Sequence, residues 1–183
     1  ADGGAKSRRA FMRAILADLR AFDRMLKENR FETGVRRIGA EQEMFLVDKT
    51  WTAARGALDM LGKLDDNHFT TELGLFQLEA NCDPQVFTGD GFSRLEKQLD
   101  GLVAKARKVG AELGIECVLA GILPTIRKAD LGLDSMTPSP RYKALAKIMS
   151  ELRGGEFEFS IKGLDELFVT HDSVMLEACN SSF

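Results

Sequence analysis

The stretch FTTELGLFQLEANCDPQV, Phe69–Val86, decides the fold. Up to Asn81 it is rich in strand-forming residues, and Asp83-Pro84 ends the run because a proline nitrogen cannot donate to a ladder. A second run, VRRIGAEQEMFLVD from Val35 to Asp48, changes to β-branched and aromatic residues around a period of two between Gly34 and the polar Asp48-Lys49-Thr50 turn. Two strands are therefore expected at the centre of the chain.

Working outward, Phe11, Ile15, Leu19, Phe22 and Leu26 recur at helical steps and predict an amphipathic helix from Ser7 to near Asn29. Leu58, Leu61 and Leu64 suggest a short helix within Thr52–Asp66, weakened by Gly56 and Gly62. Beyond the second strand, Phe92, Leu95, Leu99, Leu102, Val103, Ala106, Val109 and Leu113 form a continuous stripe out to Gly114, with Ser93 and Glu96 placed as a capping box. Ile115–Leu123, closed by Pro124, reads as a strand buried on both faces, and residues 125–138 as a connecting loop. Ser139 then serves as N-cap with Pro140 at the first helical position, and Leu145, Ile148, Met149 and Leu152 are the expected buried face before Gly154-Gly155. EFEFSI, Glu156–Ile161, alternates as a strand with one wet face, and Ser173–Phe183 is a further strand candidate. This order lacks regular βαβ alternation, so an α+β domain with a mixed or mainly antiparallel sheet is expected.

Composition agrees with a globular chain: of 183 residues 44% are hydrophobic and 29% charged, enough to bury a core in one domain over residues 1–183. Lys plus Arg number 25 against 28 for Asp plus Glu, a net charge of -3, so no broad basic surface awaits a nucleic acid. No stretch approaches the roughly 20 apolar residues of a membrane span. Cys82, Cys117 and Cys179 are odd in number and without CxxC spacing, which argues against a disulfide framework or a structural zinc and fits a reducing, cytoplasmic setting. Residues 1–6 are polar, are expected to be disordered or an added or processed end, and carry no argument.

The chemistry lies in where the acids sit. Glu41, Glu43 and Glu79 fall inside strand-like runs with apolar neighbours, where a solvated acid is not the natural choice. Glu41 and Glu43, two apart, share one face of a strand, and Gln77, Glu79 and Asn81 form a similar polar row. Two such strands side by side would present an acidic floor, and an all-oxygen set of clustered carboxylates suits Mg²⁺ or Mn²⁺. Glu72 is seven residues from Glu79, which places the two on opposite faces of a regular strand unless Gly74 supplies a bulge or kink. The plainer alternative makes Glu72 an exposed residue near a strand start, with Glu41 and Glu43 paired to Arg36, Arg37 or another base. Arg141 and Tyr142 lie in the first turn of a predicted helix, where an arginine can clamp a carboxylate or phosphate or simply be solvated. His68 and His171 have no HxH or HxxxH partner, and the cysteines read as packing residues.

Three segments taken together, IGAEQEMFLVD (Ile38–Asp48), TELGLFQLEANCDP (Thr71–Pro84) and TPSPRYKAL (Thr137–Leu145), resemble the glutamate-cysteine ligase family, in the type 2 branch of plant and bacterial enzymes and related carboxylate-amine ligases. The paired signatures GxExE and ELxxxQLE carry the resemblance. It implies a glutamine-synthetase-like catalytic domain, a curved and mostly antiparallel sheet with flanking helices, whose acids hold Mg²⁺ under the phosphates of ATP. It implies glutamate, cysteine or another amine, and ATP as small-molecule partners, with γ-glutamylcysteine formed through an acyl phosphate. By motif, Glu41, Glu43, Glu72 and Glu79 would be metal ligands or substrate-ordering acids, and Arg141 and Tyr142 would lie at the amino-acid pocket. Catalytic domains of this kind are roughly twice as long as this chain, so the resemblance implies the N-terminal half of such a domain, inactive alone and able to self-associate through an incomplete sheet. Two other functions fit the same acids: a non-catalytic amino-acid or metal-binding module, and a metal-dependent phosphohydrolase. The second lacks the Asp and His ligand density of a two-metal hydrolase.

Overall fold

Met44, Phe45, Leu46 and Val47 are four consecutive residues with no exposed surface, so the strand that carries them is covered on both faces. Complete burial of each such side chain contributes roughly 1.5–3 kcal/mol. That strand, β2 (Glu41–Val47), is second from one edge of a four-stranded sheet. A computed structural model describes residues 2–154, 157–162, 166–171 and 174–182. The chain forms two compact units, Ala1–Arg37 and Ile38–Phe183.

The first unit is dominated by α1 (Asp2–Lys27), the amphipathic helix expected from Ser7 onward. Asp23 with Lys27 and Arg24 with Glu28 are exposed pairs one turn apart, and the Phe22 and Phe31 rings meet edge to face at 5.6 Å. Arg37 is engaged bidentately by Glu32.

The second unit holds the sheet. Its elements are the end of β1 (Arg37–Ile38), then β2, α2 (Ala57–Leu64), β3 (Phe69–Thr71), β4 (Gln77–Asn81), β5 (Gln85–Val86), α3 (Gly91–Leu113), β6 (Glu116–Val118), α4 (Pro140–Arg153), β7 (Phe157–Lys162) and β8 (Glu166–His171). The four-stranded sheet runs β3-β4-β2-β6 with every pairing antiparallel, and β7 and β8 form a separate hairpin. The fold class is the expected α+β, mostly antiparallel with flanking helices. One face, through Met44, Leu46, Leu78 and Ala80, packs on Met60 of α2 and Leu102, Val103 and Ala106 of α3. The other, through Phe45 and Val47, packs with Phe76 on Leu131, Met136 and Met175 from the loops beyond β6.

Several expectations are corrected. The single long strand expected from Phe69 to Asn81 is a hairpin: the chain leaves the sheet after Thr71, turns through residues 72–76 and returns as β4. The reason is at Gly74, which bridges to Met136, and where an added Cβ would lie 2.9 Å from Gln77 Oε1 and 3.0 Å from Phe76 Cζ. The Val35–Asp48 strand is broken at Gly39-Ala40. Ser93 lies inside α3, whose N-cap is Asp90, so no capping box forms there. Only Glu116–Val118 of the 115–123 run is strand; it is an edge, with Glu116 exposed, and is not buried on both faces.

Ser139 does cap α4, its Oγ accepting the Arg141 N–H at 3.3 Å. The expected buried face of that helix is overturned: Leu145, Ile148, Met149 and Leu152 are exposed, and Tyr142 and Ala146 meet the core instead. Helical periodicity locates an apolar stripe without saying which side of the helix faces the protein. Val174–Cys179 is a 3₁₀ turn rather than a strand, and only Asn180–Ser182 runs beside the sheet, through Asn180 bridging Ile122 and Ser182 meeting Glu43. Glu156, Ser173 and Phe183, at the ends of the two predicted C-terminal strands, lie outside the described residues.

Candidate functional site

The register of β2 and β4 builds the site. Glu41 stands opposite Asn81, Glu43 opposite Glu79 and Phe45 opposite Gln77, so these six share one face of the sheet. Phe45 is covered by the second core, whereas the acidic end of the same face stays partly open. Glu72 joins it because the chain reverses. Thr70 pairs with Glu79 across the hairpin, and Glu72, two residues on from Thr70, returns to the face that Glu79 occupies. No kink within one strand is needed to bring the two acids together.

Glu43, Glu72 and Glu79, all partly buried, bring carboxylate oxygens within 4.8 Å of one another. One oxygen of each takes an N–H. Ser182 N donates to Glu43 Oε2 at 2.7 Å, Asn81 Nδ2 to Glu79 Oε1 at 2.6 Å, and Leu73 N to Glu72 Oε2 at 3.2 Å. Among the described residues no base forms a salt bridge with any of the three, which sets aside the alternative that pairs Glu43 to an arginine.

The electrostatic consequence falls on Glu72. Burial, then the hydrogen bond and negative charge of Glu79, then the charge of Glu43, push its carboxyl up to about 7, with the Leu73 N–H acting weakly the other way. Three close carboxylates, with no cationic side chain paired to them among the described residues, form an all-oxygen donor set of the kind that suits a hard divalent ion. Glu41 lies one step along the same face, exposed and outside the triad, in a cleft of about 520 Å³ with Asn81, Cys82 and Ser182.

On the other side of the triad a cleft of about 440 Å³ is lined by Thr70, Thr71, Glu72, Glu79, Ser139, Arg141 and Tyr142. Both sequence-singled residues of α4 are therefore in place beside the acids. The Arg141 guanidinium lies 5.8 Å from the centre of the Tyr142 ring, and burial, with Glu72 nearby, raises the phenol above its ordinary value. Thr70, Thr71 and Ser139 escaped notice as site residues. The usable signal for Thr70 is its two-residue step from Glu72; Ser139 was legible only as a cap.

His68 is held by Asp66 at 2.7 Å and Asp83 at 3.2 Å, which raise its pKa. Burial raises all three cysteine thiols, Cys117 to about 11, so none is poised as a thiolate. His171 lies on β8 and Cys179 closes the last 3₁₀ turn. No described helix is long and apolar enough to cross a membrane.

Comparison with known proteins adds one finding: a family model described as glutamate-cysteine ligase family 2 matches residues 37–177, a span that contains the whole triad, Arg141 and Tyr142. No curated protein and no solved structure matches the chain.

Proposed function

The chain belongs to glutamate-cysteine ligase family 2, and from that premise we propose that it forms the metal and substrate floor of an ATP-dependent carboxylate-amine ligase. Its substrates are glutamate and an amine, cysteine being the first choice. The observation that carries this reading is the triad itself: three carboxylates within 4.8 Å, with no base bridged to them among the described residues, inside the matched span.

Glu43, Glu72 and Glu79 would hold Mg²⁺ or Mn²⁺, and Glu41 extends the acidic row along the same face. When bound, the ion supplies charge neutralisation at phosphate oxygens. The rest is done by side chains. Arg141 offers a fork of N–H donors to a carboxylate in the cleft beside the triad. Tyr142 packs under that guanidinium and limits where the substrate can lie. The Asn81 and Ser182 N–H groups hold Glu79 and Glu43 so that their oxygens need no rearrangement when charge arrives. In the overall chemistry a glutamate γ-carboxylate oxygen takes the terminal phosphoryl group of ATP and ADP leaves. The amine nitrogen then bonds to the acyl carbon, loses a proton, and phosphate departs with the electrons of the broken C–O bond. Such chemistry needs positioning and electrostatics rather than a protein nucleophile, in keeping with cysteines whose thiols are held protonated.

The test is ADP release by the full-length protein with Mg²⁺, ATP, glutamate and cysteine. Release is expected only when glutamate is present, and Glu79→Gln is expected to reduce it by at least about 100-fold. ADP formed equally without glutamate, or release indifferent to Glu79→Gln, would overturn the reading.

A further inference from the structure

Gln77 is 2% exposed, stands opposite the fully buried Phe45 and touches none of the triad carboxylates in a hydrogen bond, yet both ends of its carboxamide are paired. Its Oε1 accepts the Gly74 N–H at 3.2 Å and its Nε2 donates to the Asn180 carbonyl at 2.6 Å. The first contact lies in the turn that carries Glu72. The second lies in the strap Asn180–Ser182, whose Ser182 N–H donates to Glu43 Oε2. Gln77 itself is two residues from Glu79 on the same face of β4.

Taking the triad as a metal centre, we propose that Gln77 is its positioning residue: one buried amide ties the Glu72 turn to the Glu43 strap and so sets the spacing of all three acids. The surrounding contacts leave it this task. The Glu72 turn is fixed from outside by Thr137, whose N–H reaches Leu73 O at 2.9 Å and whose Oγ1 donates to Glu72 O at 2.5 Å. The strap is fixed on its far side by Ser181 N–H to Gly121 O at 3.0 Å. Across the face between them, the Gln77 amide joins turn and strap. A buried amide with both ends paired holds this distance well, because removing it strands a buried N–H and a buried carbonyl.

The experiment compares the full-length parent, Gln77→Met, Ser182→Pro and the double variant by Mn²⁺ binding, read from electron paramagnetic resonance, with thermal unfolding as the control. Gln77→Met roughly keeps the volume and loses both hydrogen bonds; Ser182→Pro removes the N–H given to Glu43 and also fixes the backbone φ at residue 182. Each single change is expected to weaken Mn²⁺ by about 10- to 100-fold with the fold intact. The double variant is expected to be weaker than the parent by far less than the product of the two factors, since both act through one strap. Full multiplicativity, or Mn²⁺ affinity untouched by Gln77→Met, would overturn the proposal. A second readout separates this proposal from the metal reading: in the metal-free protein, Gln77→Met should speed hydrogen exchange of the Ser182 amide at least about tenfold. If the parent binds no Mn²⁺ and this acceleration occurs, the metal reading fails alone; an unchanged Ser182 amide rejects the role of Gln77 whatever the ion does.

Discussion

Glu72 is where environment outweighs residue type most clearly. Folding raises its pKa to about 7, so the folded protein holds that proton more tightly than the unfolded chain does. The stability this gives is fully present below the ordinary glutamate value and is lost as pH rises through about 7. For the metal-free protein, the loss between about pH 5 and pH 7.5 is on the order of 1 kcal/mol after allowance for solvent screening. Glu72→Gln cannot ionise and should remove the dependence. Urea unfolding at both pH values checks this; a parent that gains stability over that window would show the sign to be wrong. Binding an ion at the triad displaces the same proton, so affinity should also fall as pH drops below about 7. That Glu41 shares a face with Glu43, and Glu79 a face with Gln77 and Asn81, was legible from strand parity alone, because residues two apart on a strand point the same way. The position of Glu72 was not, because it depends on a chain reversal that no local period records.

At the scale of elements, α3 shows how a single glycine sets a packing distance. Gly110 faces β6, and an added Cβ would lie 2.6 Å from the Ile115 carbonyl oxygen and 3.5 Å from Cys117 Sγ. Alanine would gain about 1 kcal/mol of helix propensity there. The contact is with backbone, which cannot rotate away, so the helix must shift and overpacking of about 1–3 kcal/mol wins. Gly110→Ala is therefore expected to lower the unfolding free energy by about 1 kcal/mol, measured by denaturant titration; a stabilised variant would refute the close approach. Three helices, α1, α3 and α4, were legible from their apolar stripes, and the eight-residue α2 only weakly, because Gly56 and Gly62 interrupt its pattern. The turn at 72–76 was not, since a short β3 and β4 joined by apolar Leu73, Leu75 and Phe76 read as one strand. The fully apolar Met44–Val47 run concealed its cause as well: both sheet faces are covered there, by different parts of the chain.

For the molecule as a whole, a net charge of -3 and an acidic face on the central sheet fit the proposed cation-holding floor. The family was legible in three segments because they carry the triad, its hairpin and the Arg141–Tyr142 turn, and the matched span of residues 37–177 covers all of them. The strap Asn180–Ser182 lies past that span. Its part in the site comes from long-range pairing with Glu43 and Gln77, which a local pattern does not encode. The central claim is that Glu43, Glu72 and Glu79 act together as one divalent-cation site. Its most direct test is calorimetric Mn²⁺ titration of the full-length parent beside Glu43→Gln, Glu72→Gln and Glu79→Gln. Saturable binding that each substitution weakens at least about tenfold, with the fold retained, is the expected result; Mn²⁺ affinity unchanged in all three variants would contradict it.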